Sequence, residues 1–129
     1  MPVFEPVAGL RVIADPAALD AARWDGMEVT VLRFAPDDAF AIGAGAVDLD
    51  DEHAIVEPEV GFVAARLPLD VVERHVEWSL PTERPAFAQG SVAAVPAKLW
   101  IEAGDGGHDD EVLLLTAAAY ARDLAERLR

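Results

Sequence analysis

The sequence predicts an α+β domain, a mixed and mostly antiparallel sheet with about three helices packed on it. Short apolar runs recur between proline- and glycine-rich turns, as strands of a sheet do. Two longer stretches, Pro68 to Leu80 and Thr116 to Leu128, change to helical spacing, and Asp15-Pro16 opens a third. At 129 residues the chain (1-129) is long enough for one core and too short for two, so one domain is expected.

Leu10 to Ala14 reads as a strand. Asp15-Pro16 then starts a helix with a capping aspartate and a proline at its first position, Leu19 and Ala22 facing inward and Gly26 as its stop. Met27 to Phe34 alternates, but neither side is cleanly polar, so cover on both faces is expected. Ala35-Pro36-Asp37-Asp38 is a turn that returns the chain as a hairpin strand over Ala39 to Ala44. Asp48 to His53 is an acidic linker, and Ala54 to Glu59 a short strand interrupted by Pro58.

The best-defined stretch is Gly61 to Glu102. Gly61 to Leu67 reads as a mostly buried strand. From Pro68 to Leu80 a helix is predicted, with Leu69, Val72, Val76 and Leu80 as its buried row and Asp70 with Glu73 as a capping box. Pro81 ends it, because the residue before a proline is pushed out of the helical region. After a loop from Pro81 to Gly90, two apolar runs, Ser91 to Val95 and Ala97 to Glu102, flank Pro96, which has no amide to give a ladder. A turn-rich loop from Ala103 to Asp110, a leucine-rich strand from Glu111 to Thr116 and a final helix capped by Thr116 complete the chain. The inner stripe of that helix is Ala117, Tyr120 or Ala121, Leu124 and Leu128, and Arg127 and Arg129 complement its dipole.

Composition narrows function more than any motif. A hydrophobic fraction of 53% excludes a disordered chain, and no apolar run reaches the roughly 18 residues of a membrane span. The N-terminus has no basic region followed by an apolar core, so a cytoplasmic protein is expected. The absence of cysteine excludes disulfides, thiolate metal sites and cysteine nucleophiles together. A net charge of −14 repels phosphate backbones and anionic lipid, so neither nucleic acid nor membrane is an expected partner. An acidic face meeting a basic protein is compatible with it.

Candidate sites are few. Asp105 to Glu111, with His108, and Asp48 to His53 carry oxygen and imidazole ligands but lack the spacing of an EF-hand loop, so they read as solvated loops and no metal is expected. Glu57 and Glu59 share a strand face, as a carboxylate pair for hydrolysis would, though solubility of an edge strand explains them as well. Ser79, Ser91, Thr30, Thr82 and Thr116 stand in no nucleophile or phosphate-loop context, and no cofactor is expected. The loop Pro81 to Gly90, about ten residues where connections usually run about four to six, holds Arg84, Phe87 and Gln89, residues suited to a protein interface. A competing reading is a small enzyme or small-molecule-binding site near His75, Arg84 and Trp100.

Three pieces of the chain resemble the gamma subunit of heterotetrameric sarcosine oxidase and, more remotely, the aminomethyltransferase fold of the glycine cleavage T protein. They are Leu32 to Ile42 as strand, turn and strand; Ala54 to Leu80 as strands and helix; and Ala88 to Trp100, followed by Glu111 to Leu128, as hairpin, strand and terminal helix. Leu67-Pro68 and Glu57-Pro58-Glu59 depart from the family's Gly-Pro and Asp-x-Ser. The resemblance implies a non-catalytic accessory subunit with no flavin or folate of its own, working through a protein partner or a homo-oligomer.

Overall fold

The computed structural model describes residues 1–105 and 109–129, and these gather into two compact units: Val7–Gly61, and Met1–Pro6 together with Phe62–Arg129. Strands dominate. The architecture is a mostly antiparallel sheet with three short α-helices, more sheet-rich than the sequence suggests.

The first unit is built from β1 (Glu5–Ile13), α1 (Pro16–Asp20), β2 (Arg23–Ala35), β3 (Asp38–Asp48) and the beginning of β4 (Ile55–Pro68), in the order β2-β3-β1-β4. Pro36 and Asp37 turn β2 into β3, as expected, and the hairpin is longer than predicted at both ends. Leu10 and Val12 stand opposite Ala41 and Ala39, so the alternating apolar residues of the two strands share one face. With Ala14, Leu19 and Ala44 they form a core, flanked by Trp24, Val29, Val31 and Val47. The helix ends at Asp20, well before Gly26, which instead lies in β2 beside a register shift where Glu28 adopts φ 53°. Asp15 precedes the helix without giving it a side-chain cap. The expectation of cover on both faces is not met: at the end of β2 one face, Leu32 and Phe34, is buried while Val31 and Arg33 opposite are half-buried, and Met27 is 90% exposed.

In the second unit β4 continues into α2 (Leu69–Glu73), followed by β5 (Ala86–Val92), β6 (Val95–Glu102), β7 (Glu111–Ala117), a 3₁₀ turn at Ala118–Tyr120 and α3 (Ala121–Arg127). The strand order is β4-β7-β6-β5 and every pairing is antiparallel. Ala88 and Val92 of β5, Val95, Ala97, Leu99 and Ile101 of β6, and Val112 and Leu114 of β7 present one apolar face, closed by Val72 of α2 and by Leu124 and Leu128 at the end of the chain. Leu99, Ile101, Leu114 and Leu124 have no exposed surface, and burying each contributes about 1.5–3 kcal/mol.

Three expectations require correction here. The helix predicted over Pro68 to Leu80 lasts five residues, with no capping box: Pro68 occupies the N-cap position and no side chain caps. Two tight backbone bonds, His75 N–H to the Val72 carbonyl and Val76 N–H to that of Glu73, end it. Neighbouring Val71-Val72 and His75-Val76 are poor helix formers, and packing alone selects the conformation. The apolar row is nevertheless right, since Leu69, Val76 and Leu80 all pack against the core that Val72 enters. The second hairpin turns at Ala93-Ala94, with Val92 opposite Val95, so Pro96 is inside β6 rather than between strands. Thr116 lies inside β7, one residue before its end, buried and capping no helix; its hydroxyl donates to the Pro96 carbonyl at 3.0 Å.

Candidate functional site

The segment Arg74 to Trp78 and the β5–β6 turn form the walls of a cleft of about 620 Å³ in the second unit. Its lining includes Arg74, His75, Glu77, Trp78, Ala93 and Arg127. Two of the chain's ten basic residues therefore meet here, with a histidine and one carboxylate, in a protein carrying −14 overall.

Local structure explains each wall. Trp78 donates its indole Nε1–H to the Ser91 carbonyl at 2.8 Å and lies flat against Gly90. A Cβ at that position would come within 2.7 Å of the ring, so only glycine lets the indole rest on β5. The turn is a two-residue hairpin with Ala93 at φ 49° and Ala94 at φ 66°. Such turns normally use asparagine and glycine, because a Cβ in the left-handed region costs about 1–2 kcal/mol per residue. Clamps on both sides hold this one: the Ala93 amide donates to the His75 carbonyl at 2.7 Å, and Arg127 Nη1 donates to the Ala93 carbonyl at 3.1 Å.

The guanidinium groups keep donors in hand. Among the described residues Arg74 uses only Nε, donating to the Asp70 carbonyl at 3.3 Å. Arg127 donates from Nε to Asp123 at 3.0 Å, and its Nη2 is not engaged by a described residue. Arginine and imidazole donors in a concave site suit an oxyanion.

The residues singled out in the sequence do not converge. His75 lines the cleft. Arg84 instead donates to the Asp110 carboxylate at 2.6 Å and to the Pro81 and Glu83 carbonyls, a tie within the connection between α2 and β5. Trp100 stands opposite Phe87 on the face of the sheet away from the core, since Leu99 and Ile101 on either side of it point inward. The pocket expected from His75, Arg84 and Trp100 is therefore not formed by these three together. The loop expected over Pro81 to Gly90 is displaced: it starts at Arg74, because α2 stops early, and ends at Pro85, because Phe87 and Gln89 belong to edge strand β5, half-buried and exposed respectively, with Gln89 accepting from Lys98.

The acidic loops are occupied with their own backbone. Asp51 accepts the amides of Asp15 at 2.8 Å and His53 at 2.9 Å, which hold its carboxyl below the usual range. Asp110 is held low by Arg84 first and then by the Gly104 amide, and its own carbonyl accepts from Leu69 N–H at 2.9 Å. The rest of the Asp105 to Glu111 loop, including His108, falls partly outside the described residues. Among the described residues no three His, Asp or Glu side chains gather as a metal site would require. Glu59 does not pair with Glu57. It meets Arg11 at 3.1 Å, and Arg11 also holds Asp38 by two nitrogens and lies 4.7 Å from the centre of the Phe34 ring. Chiefly through Asp38, this arrangement raises the Arg11 pKa further, which marks it as a structural cation.

Sequence reasoning missed Arg74, Arg127 and the turn as parts of one cleft. The dipeptide Arg74-His75 in an acidic chain was a usable signal; the inward clamp from Arg127 was not. No helix among the described residues is long and apolar enough to cross a membrane. No family model, curated protein or solved structure matches this chain.

Proposed function

We propose that this chain is a non-catalytic interaction domain, an accessory subunit of the kind that the sarcosine oxidase gamma subunit exemplifies. The observation that carries this is the first part of β4, where Ile55, Val56 and Val60 all stand in solvent, Val60 at 72%. Val56 and Val60, four residues apart, project from the same side of the strand, and apolar side chains exposed together on one side mark a binding surface. Around them in sequence are Asp50, Asp51, Glu52, Glu57 and Glu59, so the rim is acidic. The matching surface is apolar with a basic rim, which favours a basic protein over a second copy of a chain carrying −14. The edge strand β5, with Phe87 and Gln89, is a second surface of the same kind and belongs to the same test.

The test is recovery of a stoichiometric partner from the native host at low salt, followed by binding to the purified partner. Val60→Lys should abolish that binding and leave the melt unchanged, while Phe87→Ala reports on β5. Undiminished binding of the Val60→Lys protein overturns the β4 assignment. A dimer of the purified chain that Val60→Lys dissociates would identify a second copy as the occupant.

A further inference from the structure

We propose that the cleft between Arg74–Trp78 and the Ala93–Ala94 turn binds the oxyanion of a small ligand, a phosphate or a carboxylate. The inference is independent of the interface on β4, and it rests on three observations of different kinds.

The first is shape. A cleft of about 620 Å³ falls within the range of small-molecule sites. One wall is an indole fixed by its own hydrogen bond, so the site is formed before any ligand arrives.

The second is charge. Lys and Arg number ten against twenty-four Asp and Glu, so a random patch of this surface is negative. Here Arg74 and Arg127 face a single carboxylate, Glu77. Asp123 neutralises part of Arg127, but among the described residues Arg74 forms no ion pair and neither of its Nη groups donates a hydrogen bond. His75 adds an imidazole to the same lining.

The third is strain. Two consecutive alanines with positive φ are retained where Asn-Gly would be relaxed. The clamps that hold them come from the cleft's own walls, His75 through its carbonyl and Arg127 through Nη1. Stored strain of this kind clusters at ligand clamps. Its effect here is to fix the Ala93 carbonyl under Arg127, which orients the remaining nitrogen of that guanidinium.

The experiment uses the full chain and two probes, inorganic phosphate and succinate, each titrated against a sodium chloride control of equal ionic strength. The readout is the indole N–H resonance of Trp78, assigned with Trp78→Phe. Saturable movement with phosphate marks a phosphoryl-bearing ligand, and saturation with succinate alone marks a carboxylate. Either supports the proposal when Arg74→Gln weakens binding by about tenfold, the loss expected for one charge-assisted donor pair. Arg74→Gln leaves the turn clamp intact, so its folding is checked simply by an unchanged melt. If neither probe saturates at millimolar concentration, or if Arg74→Gln binds as the parent does, the cleft is not an oxyanion site.

Discussion

The two units open alike and close differently. Each begins with a strand, a five-residue helix and a hairpin, β1-α1-β2-β3 in one and β4-α2-β5-β6 in the other. In the second, β7 inserts between β4 and β6, and the stretch Leu69 to Leu80 joins α3 in covering the sheet with leucine, valine and Trp78. In the first, α1 alone contributes a helical side chain, Leu19, to a cluster whose inner positions are mainly alanine. A buried alanine withdraws only one methyl from water, and each further carbon is worth about 0.8 kcal/mol. The helix-covered cluster is thus the better filled in Phe62–Arg129, whereas in Val7–Gly61 the largest buried side chains, Leu32 and Phe40, lie outside that cluster and the start of β4 keeps apolar side chains in water.

The largest effect expected from breaking this asymmetry is in the second core. Val72→Asp, which buries an unpaired carboxylate at a position with no exposed surface, should cost more than about 4 kcal/mol and leave an unfolded chain by circular dichroism. Val76→Asp, only half-buried, should cost about 1–3 kcal/mol in a urea melt. Equal effects of the two would mean that the segment after α2 covers the core as tightly as the helix does.

Next is Gly9→Ala in the first unit. Its Cβ would run into the Ala41 carbonyl of the paired strand, and backbone cannot step aside, so a loss of about 3 kcal/mol is expected. Gly90→Ala meets the Trp78 ring first, a side chain rather than backbone, and should cost about 1–2 kcal/mol, together with a shifted Trp78 resonance. A reversed ranking would locate the more rigid contact in the cleft.

Smaller, and of opposite sign, is the double change Ala93→Asn with Ala94→Gly. It relaxes two left-handed alanines and should raise stability by about 1–2 kcal/mol in thermal melts. The smallest effect belongs to Val60→Lys, within about 0.5 kcal/mol, because the side chain it replaces is already in water.

Acid acts on both units, through Asp51 in one and Asp110 in the other. The Asp110 carboxyl is lowered by Arg84, so its contribution is complete above the ordinary carboxylate value near 3.8 and disappears as pH falls through the lower folded-state value. Asp110→Asn should flatten this part of the acid limb in a pH series of melts, with no change near neutrality in its slope.

How much of this was legible follows from the range of the forces involved. Alternation and turn residues are local, so Pro36-Asp37 and the leucines of β7 disclosed the β2–β3 hairpin and a core strand. The row Leu69, Val72, Val76 and Leu80 revealed which side chains are inside, but not their backbone, because covering a sheet needs only that they land on it. The Ala93-Ala94 turn was hidden because alanine carries no turn preference; clamps from His75 and Arg127, eighteen and thirty-four residues away in sequence, impose it. The same long reach kept Arg84 from being recognised as the partner of Asp110.

Thr116 has a consequence for how far a ladder can run. Backbone pairing of β6 with β7 extends only to Lys98 opposite Leu115, and Pro96 has no amide to contribute beyond it. The Thr116 hydroxyl supplies an additional rung by donating to the Pro96 carbonyl from a side chain, so the zipper closes past its last main-chain tooth. Thr116→Val keeps the shape and removes the rung, leaving that carbonyl without this donor. The strand ends should then fray, seen as faster amide exchange at Lys98 than at Trp100, two residues deeper in the same strand.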